Sequence, residues 1–181
     1  MALRPIVYAT QMVFCGLALF ALREPSGCCA TEQETAPVEA RGLAPHLAVD
    51  RKDEGRLHPG AVVQPGDVVQ VSYVAAGHDY GVVVSIDGRG GVTLHHPPRP
   101  QDVPRVKARG EIPLNHAFEL DDAPGFERFF FVTASGHPPE PEAVMDAARR
   151  LATAGFVAAR VDPLPLPEDL SQTSFLLRKA P

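Results

Sequence analysis

Tryptophan is missing from this chain, and cysteine is scarce and confined to one end. Cys15, Cys28 and Cys29 all fall within the first 29 of 181 residues. The remainder therefore has no disulfide framework and no cysteine-based zinc site. Basic side chains are also thin: 17 Lys and Arg stand against 22 Asp and Glu, and the net charge is −5 at pH 7. No stretch concentrates them enough to follow a phosphate backbone, so nucleic acid is not an expected partner. Catalytic signatures are lacking as well. There is no HExxH pair of a metallohydrolase, and Ser72, Ser85 and Ser135 have no nucleophile-elbow context. Asp87-Gly88-Arg89-Gly90-Gly91 resembles a phosphate-cradling loop only superficially. It lacks the Lys-Ser/Thr ending and joins two strands, which makes it a hairpin turn.

Proline and glycine, by contrast, are plentiful at 19 and 15 residues. They imply short elements and many turns, which suits an all-β fold better than a helical one. A hydrophobic fraction of 45% argues against wholesale disorder. Pro5 to Leu22 is an uncharged run of 18 residues, close to what a membrane-spanning helix requires. Three readings stand: a retained signal anchor, a cleaved signal peptide, or a lipoprotein signal ending at Cys28. Cys28 and Cys29 are adjacent, a poor geometry for bonding to each other. They are read as small residues near a membrane surface, as acylation sites, or as sources of an intermolecular disulfide. Thr31 to Arg41 is a polar, acidic linker unable to bury enough apolar surface to fold. The expected organisation is an anchor or signal over residues 1–24, a linker over 25–41 and a folded domain over 42–181. The charge asymmetry around the run places the domain in the periplasm or otherwise outside the cytoplasm, single-pass and tethered through residues 5–22.

Within the domain, Gln64-Pro65-Gly66-Asp67 is a turn in which proline presets one torsion and glycine supplies the positive one. Val68 to Ala75 alternates, with Val69, Val71, Tyr73 and Ala75 on the expected core face. Tyr80 to Ile86 is a more uniformly apolar and hence central strand. Val92 to His95 returns from the glycine-rich hairpin. Strand, short turn, strand, short turn, strand predicts an antiparallel meander. Pro97 to Pro104 is a proline-rich break, and Val106 to Leu114 is at most an edge strand. Arg128 to Thr133, RFFFVT, is strongly β-prone. Its three consecutive phenylalanines cannot share a face, so both faces must be covered, by the opposing sheet on one side and a helix or loop on the other. Glu140 to Ala154 is an amphipathic helix with Pro141 in its first turn and a stripe of Val144, Ala147, Ala148 and Leu151. Gln172 to Lys179 is a last strand, expected to close an edge. Seven or eight short strands with one helix in the C-terminal half fit a mainly β fold, an immunoglobulin-like antiparallel β-sandwich.

Candidate chemistry is sparse. His95-His96 is the only histidine pair, and with His78 and Asp79 it would furnish a zinc or copper site for a metal-dependent hydrolase. Neighbouring strand residues point to opposite faces, which works against a shared metal. The bland reading is solvated histidines at a strand end. Asp121-Asp122, flanked by Glu119 and Glu127, would suit calcium or acid–base work, but the spacing is not that of a calcium loop. Here the bland reading is a solvated turn with a capping aspartate. The reading assigns no catalytic residue, no cofactor and no metal. It marks His78, Asp79, Asp121 and Asp122 as possible interaction loops.

Two segments carry a family resemblance: PGDVVQVSYVAAGHDYGVVVSIDGRGGVTLHHP, from Pro65 to Pro97, and AFELDDAPGFERFFFVTA, from Ala117 to Ala134. With the ending QTSFLLRK, they resemble an uncharacterised bacterial envelope domain, immunoglobulin-like in fold, that commonly follows a transmembrane helix in anti-sigma-linked proteins. The resemblance covers about residues 42 to 179. It implies an extracytoplasmic interaction or sensory module in envelope signalling, with another envelope protein as partner. It offers no catalytic residues to carry over. The zinc-binding His/Cys module that would hold a sigma factor has no counterpart before Pro5. A structural envelope role as a lipoprotein is the further alternative.

Overall fold

The computed structural model describes residues 44–180, and the apolar run 5–22, the linker 25–41 and the three cysteines lie outside the described residues. The chain there is mainly β, with 39% of residues in strands against 14% in helices. Ten strands run in the order β1 (His46–Arg51), β2 (Gly55–Arg56), β3 (Val62–Val63), β4 (Val68–Val74), β5 (Tyr80–Asp87), β6 (Val92–His96), β7 (Glu111–Pro113), β8 (Phe118–Glu119) and β9 (Phe126–Ala134), then, after the helices α1 (Pro141–Thr153) and α2 (Phe156–Val161), β10 (Ser171–Lys179). They form two sheets. One is ordered β2-β1-β4-β7, with β8 also paired to β4; the other is β3-β10-β9-β5-β6.

Three layers follow from the alternation of side chains. Between the sheets, Leu47, Val49, Val69, Val71 and Tyr73 of the first meet Val83, Phe129, Phe131, Phe175 and Leu177 of the second. The core face expected for β4 is confirmed, since Val69, Val71, Tyr73 and Ala75 are all buried. On the outer face of the second sheet, Val82, Val84, Phe130 and Val132 pack under Val144, Ala147, Ala148 and Leu151 of α1. All nine residues of β9 are buried. Phe129 and Phe131 enter the space between the sheets while Phe130 enters the helical layer, as three consecutive phenylalanines demanded.

The expected meander does not form. Only the second half is present: β5 and β6 make the hairpin, whereas β4 belongs to the other sheet. Ala75-Ala76-Gly77-His78 is a tight turn with φ of 51° at Ala76 and 95° at Gly77, closed by the His78 amide on the Ala75 carbonyl at 3.1 Å. That turn type ordinarily folds a strand back on its predecessor. Here both edges of β4 are occupied, by β1 along Val69 to Val74 and by β7 and β8 on the other side. The chain instead crosses to the second sheet, where β5 pairs with β9. Two further expectations need correction. β10 does not close an edge but lies between β9 and β3. A second helix, α2, joins the one expected.

Candidate functional site

The glycine-rich hairpin and the Asp121-Asp122 loop, the centres of the two motif segments, meet in the structure. Asp87 organises the hairpin, its Oδ1 accepting from the Arg89 and Gly91 amides at 2.7 and 2.8 Å. Arg89 then reaches Asp122 Oδ1 at 2.7 Å. Asp121 pairs with the Lys179 ammonium, which is 1% exposed and also lies 3.3 Å from Glu127 Oε2. The hydrogen bond from Lys179 holds the Asp121 carboxyl below the usual carboxylate range, and that from Arg89 does the same for Asp122. Burial pushes Glu127 up, while the Ser85 hydroxyl and Lys179 pull it back. Both aspartates thus anchor a loop through cations already present.

His78 and Asp79 stand elsewhere. His78 Nδ1 lies 3.1 Å from Ser135 Oγ, and the Asp79 carbonyl accepts from the Val106 amide at 3.0 Å. His95 instead lies beside Ser85, five residues along β5 from Tyr80 and so about 17 Å further on. The four residues considered for a metal are therefore not brought together. Among the described residues no group of three or more His, Cys, Asp or Glu is placed to hold a metal ion.

His95 and His96 do come together, contrary to simple alternation. The β5–β6 register shifts between Val83 and Val84: Val84 pairs with Leu94 but Val83 with His96, so His95 is the extra residue of a bulge. A bulge sets two residues against one and re-aims side chains. Both imidazoles then face the region between the sheets. His95 packs edge-on to Phe118 at 4.3 Å between ring centroids and lies 5.3 Å from Phe129. His96 lies 6.1 Å from Tyr73. His95 Nε2 is 2.9 Å from Ser85 Oγ and His96 Nε2 is 3.1 Å from the Arg105 carbonyl. Burial lowers the pKa of both, that of His95 to about 4, so both are neutral at pH 7.

The bulge opens onto a cleft of about 600 Å³ between β6 and the β7–β8 segment of the other sheet. Ile112, Leu114 and Phe118 give it an apolar wall, while Lys107, Asn115 and His116 are among its polar lining residues; Leu94 borders it from β6 but packs with the α1 layer. Its volume lies within the range of small-molecule pockets. Buried His95 Nδ1 has no protein partner, a state that costs about 1–3 kcal/mol unless another group meets it. Ser85 is not a nucleophile: it is 1% exposed, and its hydroxyl stands between His95 and Glu127, whereas a catalytic serine needs the histidine between itself and the acid.

Sequence reasoning missed the cleft because its lining spans Tyr73 to His116 and beyond across both sheets. The adjacent His95-His96 pair was the one available signal, and only the bulge gives it meaning. Comparison with protein-family models, with curated proteins and with solved structures finds no match to this chain.

Proposed function

We propose that this is a recognition domain, an immunoglobulin-like sandwich of the bacterial envelope type. It is tethered through residues 5–22 outside the cytoplasm, and its ligand occupies the cleft beside His95 and His96. The observation that carries the reading is the make-up of that cleft. Its lining contains no Asp, Glu or Cys, and the one hydroxyl beside an imidazole, that of Ser85 next to His95, is buried and engaged with Glu127 rather than facing the cleft. Aromatic and aliphatic walls with a few polar groups suit binding. Among the described residues no helix is long and apolar enough to cross a membrane, so the tether rests on the N-terminal run.

Two experiments test the reading. A C-terminal fusion to a reporter active only in the periplasm should be active, and activity of a cytoplasm-only reporter instead would remove the topology. A fragment library screened by saturation-transfer NMR against the full chain should give binders that are lost in Ile112→Trp, which fills the cleft at a half-buried position. Binders indifferent to Ile112→Trp would place recognition elsewhere.

A further inference from the structure

Ion pairs engage only some of the basic side chains among the described residues. Arg51, Arg56, Arg89, Arg99, Arg149 and Lys179 all have carboxylate partners within 4 Å. The segment that crosses from the second sheet to the first carries Arg105 and Lys107, and neither makes an ion pair among the described residues. Lys107 is exposed, and its backbone amide is held by the Tyr73 hydroxyl at 3.1 Å. Arg105 lies over the Tyr80 ring, 5.4 Å from its centroid, leaving its guanidinium donors without a carboxylate. Both residues line the cleft, together with exposed His116. A chain of net charge −5 thus presents a cleft whose charged lining is entirely of the opposite sign.

We infer that the cleft takes a small organic anion, its apolar body against Ile112, Leu114 and Phe118 and its carboxylate or phosphate head against Lys107, with Arg105 and His116 beside it. This rests on the reading of the cleft as a recognition site and names the ligand class. The physical reasons are complementary. A head group without charge would leave Lys107 unpaired, whereas an anion gains charge-assisted hydrogen bonds from it. An inorganic anion would leave the apolar wall uncovered. The volume of about 600 Å³ is that of a small molecule and leaves no room for a folded partner.

The test uses the full chain in a nonionic detergent, titrated with 2-naphthoate and with 1-naphthyl phosphate. 2-Naphthamide serves as the uncharged analogue and detergent alone as the blank. With no Trp in the chain, naphthalene fluorescence is read against Tyr and Phe only. One of the two anions should saturate at a single site, and which one does so identifies the head group. Naphthamide should bind about tenfold more weakly, and Lys107→Gln should weaken the anion by a similar factor. Arg109→Gln, an exposed change outside the cleft lining, should leave the affinity unaltered and separates local pairing from the general field. Equal binding of naphthamide and the anions, unaffected by Lys107→Gln, overturns the anion class while leaving a recognition cleft. Failure of all three probes to saturate overturns the inference and the cleft reading together.

Discussion

His95 Nε2 lies 2.9 Å from Ser85 Oγ in the space between the two sheets. From that pair a polar row runs along the inner face of the second sheet, through Glu127 of β9 and Lys179 of β10 to Asp121. Most of an apolar interior is thus crossed by one line of polar groups joining the cleft to the Asp121 loop.

The first prediction concerns acid stability. Burial lowers the His95 pKa from 6.5 to about 4, so between those values the unfolded chain binds the proton more readily than the folded one. Stability should be level above pH 6.5 and fall as the pH drops toward 4. At one proton, about 1.4 kcal/mol per pH unit, the whole interval is worth about 3 kcal/mol. His96, shifted the same way by burial, adds to it. Urea unfolding of His95→Gln should show a visibly flatter profile between pH 4 and 6.5 than the parent; an unchanged slope would remove His95 as the cause.

Gly88 sets the contact between the two motif loops. A Cβ placed there would lie 1.5 Å from the Pro124 carbonyl oxygen, a backbone atom that cannot swing aside. Gly88→Ala should therefore cost about 3 kcal/mol, the upper part of the range for overpacking. Gly136 has φ of 89° but open space around it, so Gly136→Ala should lose only the about 1–2 kcal/mol of a left-handed alanine. Equal losses in the two variants by chemical denaturation would contradict the close approach at Gly88.

Lys179 tests the polar row. Lys179→Met leaves the buried Glu127 carboxylate without its cation and should destabilise by about 3–5 kcal/mol. Adding Glu127→Gln to that variant should restore part of the loss. Asp121→Asn should cost about 1 kcal/mol or less, because the Asp121 side chain is 55% exposed and screened by water. A thermodynamic cycle showing no coupling between positions 127 and 179 would contradict the pairing.

Phe130 and Phe131 are neighbours in sequence that serve different layers. Either Phe→Ala change should cost about 3–5 kcal/mol. Hydrogen exchange separates them: Phe130→Ala should speed exchange in α1, and Phe131→Ala should speed it in β1 and β4 while sparing α1. The reverse pattern would invert the layer assignment.

Much of this architecture was legible because it is written locally. The alternation of Val69, Val71 and Tyr73, the phenylalanine run of β9 and the stripe of α1 each encode a buried face without reference to the rest of the chain. The Pro65-Gly66 turn is equally local: Gly66 has φ of 88° and the Asp67 amide closes on the Gln64 carbonyl at 3.1 Å. What escaped depends on partners distant in sequence. Whether β5 pairs with β4 is decided by β1, β7 and β8 having occupied both edges of β4. α2 is six residues long with a single buried residue, Ala159. Its C-terminal carbonyls at Ala159 and Asp162 are met by Arg128 Nη1 at 3.1 and 2.8 Å, a cap supplied from β9 rather than from the helix. The shared orientation of His95 and His96 depends on one extra residue in β6, and alternation alone predicts the opposite. At the Asp121-Asp122 loop, where the bland reading is a solvated turn with a capping aspartate, both carboxylates meet cations distant in sequence, Lys179 and Arg89, which local spacing does not encode.

The central claim is that ligand enters the cleft beside the bulge, and methyl NMR of the full chain during addition of 2-naphthoate or 1-naphthyl phosphate tests it most directly. The account predicts saturable shifts of the Ile112 and Leu114 methyls, with His95 and His96 ring signals moving in step and the α1 stripe at Val144 and Leu151 unmoved. Shifts concentrated in α1 and α2, with the Ile112 and Leu114 methyls silent, would contradict it.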